Sequence, residues 1–127
     1  MYKEVVALTW AVDNPKHPFV FISGGGNVQG KINLILKLLE SADTVIVGGA
    51  MAYTFLVASG VAVGESKVYD ESVYYARDIV NIAKERGKKI LLPIDHVWIR
   101  ESAKRKKQFV TDEMGDDMVG FECGTKT

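Results

Sequence analysis

Residues 18–26 read PFVFISGGG and residues 44–49 read TVIVGG. In both, a short β-prone run ends on a glycine cluster, and a helix-like stretch follows: Ile32, Ile35, Leu36 and Leu39 share one helical face after the first, and residues 51–59 form the second. Strand, glycine turn and helix are thus written twice. This wiring places bends at the carboxyl ends of strands, where glycine lets backbone come close to a neighbour and turns main-chain N–H groups toward a phosphate or a flat ring. A nucleotide is the first ligand the pattern implies.

Outward from this core, Val5, Val6, Leu8 and Val12 predict a lead-in helix over residues 2–12, stopped by Asn14 and Pro15. A longer helix is expected from about Glu71 to Arg86, with Val73, Ala76, Ile79, Val80 and Ala83 inward, and a strand over residues 89–92. Segments 97–99 and 108–111 are β-prone and flank the charged stretch 100–107, which predicts a hairpin with a solvated tip near the C-terminus; residues 118–122 return as one more strand. Alternating strands and helices argue for a three-layer, Rossmann-like α/β fold, with a parallel sheet covered on both faces. Residues 1–127 read as a single domain.

Composition narrows the function. Hydrophobic residues make up 47% of the chain, enough for a core, while sixteen basic side chains cancel sixteen acidic ones, so no overall field draws it to nucleic acid or an anionic membrane. No apolar run approaches the roughly 20 residues that span a bilayer. The N-terminus lacks a signal-peptide pattern and the single cysteine, Cys123, cannot form an internal disulfide, so a cytoplasmic location is expected.

Gly25 to Lys31 has the Walker A spacing, but Ile32 stands where that motif needs a hydroxyl to ligate magnesium. A dinucleotide fingerprint beginning at Gly24 and Gly26 would require a third glycine where Gln29 stands. A P-loop-type NTPase therefore stays as an alternative, as does a non-catalytic, self-associating α/β piece, since an unpaired sheet edge tends to find another chain.

The stretches GGGNVQGKI (24–32), DTVIVGGAMAYTFL (43–56), KILLPID (89–95) and GFECG (120–124) resemble phosphoglycerate kinase, in order and spacing, over essentially the whole chain. The resemblance implies a linking helix (1–14) and an α/β core (18–127) forming the first half of a nucleotide-binding domain. Its reaction moves a phosphoryl group between 1,3-bisphosphoglycerate and ADP in glycolysis. It implies ATP or ADP with Mg2+ as cofactor, with the metal ligand outside this chain, and 3-phosphoglycerate bound only by an N-terminal domain not among these residues. The free chain is expected to be inactive. Position by position, Lys31 matches the lysine on the transferred phosphoryl group and is the catalytic expectation; Gly25, Gly26 and Asn27 match the turn beside the phosphates. Gly49 and Ala50 match the floor of the adenine pocket, Gly120 and Phe121 its other wall, and Lys67 a position covering the ring. No metal ligand is assigned. Asn27 stands where the family commonly has lysine, which weakens phosphate binding by on the order of 1 kcal/mol or more, and Gly30 stands where it has aspartate, which makes the loop more flexible.

Other residues carry plainer readings. His17 and His96 lack partners at metal-ligand spacing and read as structural. Cys123 reads as a small buried hydrophobe, Trp10 and Trp98 as core or interface aromatics, and the basic run 104–107 as a solvated tip.

Overall fold

The computed structural model of the chain describes residues 2–26, 28–100 and 108–127. Its elements are α1 (Tyr2–Asp13), β1 (Val20–Ser23), α2 (Gln29–Ser41), β2 (Thr44–Val47), α3 (Met51–Ala58), α4 (Asp70–Glu85), β3 (Lys89–Leu91), β4 (His96–Arg100), β5 (Phe109–Thr111) and β6 (Met118–Cys123). They follow the expected order. Strands β1, β2 and β3 form a parallel sheet in chain order, and β5, β4 and β6 an antiparallel one. The hairpin tip and the basic run, residues 101–107, lie outside the described residues.

The parallel register puts Phe21, Val45 and Ile90 in one cross-strand row and Ile22, Ile46 and Leu91 in the next. Side chains of adjacent rows leave a sheet on opposite faces. Val45 and Val47 are fully buried in one core with Ile32, Ile35 and Leu39 of α2, Met51 and Phe55 of α3, and Ala76, Ile79 and Ala83 of α4; Phe21 and Ile90 pack against it. On the other face Ile22 is 69% exposed and Leu91 48%. The expectation of cover on both faces is corrected here: among the described residues, α2, α3 and α4 cover one. Strand order explains it, because right-handed crossovers that step in a constant direction drop their helices on a common side. Only a reversal of strand order would bring helices to the opposite face.

The antiparallel sheet joins this core through α3. Tyr53 and Leu56 are buried with Val63, and Val68 and Leu92 pack on them. Trp98 of β4 is buried and stacks on Phe109 of β5 at a centroid distance of 4.9 Å, whereas Trp10 on α1 is 58% exposed.

Two carboxylates fasten distant segments. Asp95, fully buried after β3, accepts hydrogen bonds from the backbone N–H of Lys126 (2.8 Å) and Thr127 (2.9 Å) and from the Thr127 hydroxyl. Burial pushes its carboxyl up, but these donors and the Lys126 charge outweigh it and hold Asp95 below the ordinary value. Asp43 is also held low, by the ring of His17 at 2.7 Å and by the Phe19 N–H, so His17 is structural as expected. His96 is buried, and desolvation holds its imidazole below 6.5 despite the nearby charges of Asp95 and Asp112.

These shifts have definite signs. A buried imidazole held below its usual value favours the neutral form in the fold, so the unfolded chain gains protons first as pH drops. Carboxyls held low stabilise the fold above their usual value and lose that contribution as pH falls through the folded pKa. Urea melts across pH are therefore expected to show stability falling first below about pH 6.5 and again below about pH 4. His96→Phe should remove the first step alone, and Asp95→Asn should shrink the second.

Candidate functional site

The site is built where β1 and β2 end. Gly48 donates its N–H to the Ser23 carbonyl at 2.9 Å, and Met51, the first residue of α3, donates to the Gly25 carbonyl at 2.9 Å. Gly25 and Gly49 adopt φ of 110° and 62°, which side-chain-bearing residues rarely take. A Cβ on Gly49 would lie 3.2 Å from the Gly25 nitrogen, so the two bends pack backbone on backbone. Conformation calls for glycine at both, and contact calls for it at Gly49 as well.

Lys31 stands in the first turn of α2 and donates its ammonium to the Gly24 carbonyl. Its Nζ lies 3.0 Å from where a Gly25 Cβ would be. The helix behind it has no acidic residue in its first turn and no side-chain cap at Val28. No acidic side chain of that turn offsets its positive end. Gly25 and Gly26 are exposed, and among the described residues no acceptor engages their N–H groups. Exposed N–H donors, a helix N-terminus and the Lys31 ammonium thus lie at one bend, a chemistry suited to an anion.

The remaining expected residues are distributed as follows. Ala50 is the half-buried N-cap of α3, one residue past Gly49. Gly120 is buried in β6, donates to Ser66 Oγ at 2.9 Å, and faces the Tyr53 phenol so closely that any Cβ would collide with the ring. Phe121 beside it is 37% exposed. Lys67 places its ammonium 5.0 Å over the Tyr69 ring, so its recorded partner is that aromatic rather than the glycine bends. Asn27 lies outside the described residues. Lys31, Gly25, Gly26, Gly49 and Ala50 thus come together, and α3 connects them to Gly120 and Phe121.

Ile32, which breaks the Walker A pattern, is 4% exposed and belongs to the core cluster, so an aliphatic side chain fills the place a metal-binding hydroxyl would need. Among the described residues no group of three or more His, Cys, Asp or Glu could hold a metal ion. Cys123 is half-buried and lines an apolar cavity of about 250 Å³ with Ile46, Gly48, Leu91 and Ile94; burial pushes its thiol up. Sequence reasoning missed Tyr53 and Ser66. The aromatic within MAYTFL was visible, but nothing local pairs either residue with Gly120.

Fold and site together define a parallel α/β chain with two fused glycine bends and a lysine at the carboxyl end of its sheet. A family profile described as phosphoglycerate kinase matches residues 1–127. The chain belongs to the phosphoglycerate kinase family. It is 40% identical to a phosphoglycerate kinase of Clostridium tetani and 45% identical to one of Clostridium perfringens, in each case over 98% of this chain and 32% of the relative. The phosphoglycerate kinase structure from Coxiella burnetii superposes with a TM-score of 0.90 at 34% identity, covering 98% of this chain and 33% of that one. A Pyrococcus horikoshii phosphoglycerate kinase shares the fold, with a TM-score of 0.78 at 20% identity over 99% of this chain and 33% of that one. The chain spans about a third of the length of the relatives it matches.

Gly120→Ala is expected to force a Cβ into the Tyr53 ring and to cost about 1–3 kcal/mol, the usual range for overpacking. Chemical denaturation followed by circular dichroism measures it.

Proposed function

We propose that residues 1–127 are the linking helix (1–14) and the first half of the α/β core (18–127) of a phosphoglycerate kinase nucleotide-binding domain, and that they bind an adenine nucleotide at the fused glycine bends. The observation that carries this reading is the convergence of Lys31, the N–H groups of Gly25 and Gly26 and the start of α2 at one exposed glycine bend. Lys31 exchanges the Gly24 carbonyl for the terminal phosphate, where a cation offsets charge spreading over the equatorial oxygens. Gly49 and Ala50 form the floor under the purine, Gly120 and Phe121 the facing wall, and Asn27 adds a neutral contact beside the phosphates. Lys67 must leave Tyr69 to cover the ring.

Magnesium arrives with the nucleotide and neutralises its phosphate charge; no residue here is assigned to ligate it. The reaction served is phosphoryl transfer between 1,3-bisphosphoglycerate and ADP, yielding ATP and 3-phosphoglycerate in the cytoplasm, with the acyl phosphate bound by residues outside 1–127. Positioning supplies most of phosphoryl-transfer catalysis, so the free 127-residue chain binds nucleotide without turnover.

Titration calorimetry with MgADP tests the site. Lys31→Ala is expected to weaken binding by about tenfold or more, the loss of one charge-assisted contact; equal heats for the two proteins would remove Lys31 from it.

The exposed Ile22 and Leu91, beside an edge of β1 that has no partner strand among the described residues, support a second reading in which two copies associate through that edge. Light scattering at micromolar concentration is expected to give twice the chain mass, and a strictly monomeric mass would exclude it.

A further inference from the structure

We infer that Tyr53 is a positioning residue for the purine half of the proposed nucleotide site, setting the separation between the bend at Gly48–Ala50 and the β6 wall at Gly120–Phe121. The inference rests on the nucleotide reading above and adds to it a residue that neither touches ligand nor reacts. Tyr53 lies in the first turn of α3, whose opening residue Met51 is tied to Gly25, so its place is referenced to the glycine bends themselves. From there the side chain, 2% exposed, spans to the antiparallel sheet. Its ring fills the space in front of Gly120, its hydroxyl reaches the Glu122 carbonyl at 3.4 Å, and the His96 ring flanks it at 5.5 Å and 44°. Ser66 Oγ holds the Gly120 N–H at 2.9 Å, so β6 cannot slide away from the phenol.

The plane of the ring does the spacing. A 3.4 Å hydrogen bond sits at the long end of the useful range, whereas a rigid aromatic in a close-packed interior has no slack. Burial pushes the phenol up to about 12, with Glu122 and Cys123 adding to it, so Tyr53 stays uncharged and leaves the wall fixed across the physiological range. Phosphate binding needs only the first glycine bend and Lys31, but a purine needs both walls at the right distance. A change at Tyr53 should therefore be felt by the base and not by the phosphates.

The test uses the whole chain and two probes, MgADP and magnesium pyrophosphate, in titration calorimetry. Tyr53→Met fills a similar volume without a rigid plane, and is expected to weaken MgADP about tenfold while pyrophosphate changes by no more than about twofold; Tyr53→Phe should restore the wild-type ratio. Ser66→Ala, which frees β6 from the other side, should produce the same selective loss and serves if the Met variant is not folded by circular dichroism. Equal weakening of both probes, or unchanged MgADP affinity, would overturn the role of Tyr53 alone. A wild-type chain that binds pyrophosphate but no ADP overturns the purine site and this inference together, and one that binds neither overturns the whole nucleotide reading.

Discussion

Main chain resting on main chain, where Gly49 meets Gly25 and the Met51 N–H reaches the Gly25 carbonyl, is the contact on which the rest of the structure depends. A side chain at Gly49 would press on the Gly25 backbone, and one at Gly25 would be strained by its positive φ. Because they touch, the ends of β1 and β2 are held at one level and Lys31 is delivered to the loop it caps. The same contact references α3 to the first bend, and through Tyr53 it references the second sheet to both. Local backbone geometry thereby becomes the alignment of two sheets.

Much of this arrangement was legible in the residues. β2 occupies the stretch TVIV that its β-branched run marks out, and α4 differs from its periodicity-based bounds by a single residue at each end. The glycine clusters announced the site because their chemistry is local: a bend with positive φ needs glycine whatever surrounds it. The family resemblance was legible for the same reason, since its motifs are contiguous strings. What could not be read was set by separation along the chain. Asp95 finds Lys126 across 31 positions, Gly120 finds Ser66 across 54 and Tyr53 finds Glu122 across 69, and no periodicity encodes such pairings. The single-sided cover of the sheet depends on strand order, a global property that a list of strands does not contain.

The candidate site shows how one sequence position can answer two demands. Gly120 looks, from its motif, like a residue kept small for a ligand, yet the Tyr53 ring alone forbids a side chain there. Lys31 likewise satisfies the protein by closing on the Gly24 carbonyl, and in the proposed nucleotide site it would serve a phosphate only by letting go of it. Its exchange of one oxygen acceptor for another costs little, since the ammonium is paired in either state.

Among the described residues strand β2 alone in its sheet has a neighbour on each side, and its alternate residues Val45 and Val47 are sealed from water. Within the same described residues β1 and β3 each leave a row of backbone groups at a border. Amide protons should therefore exchange with solvent in a graded way, slowest at the centre of TVIV and faster toward either margin, so that the least yielding part of the protein is the strand leading directly into the second glycine bend.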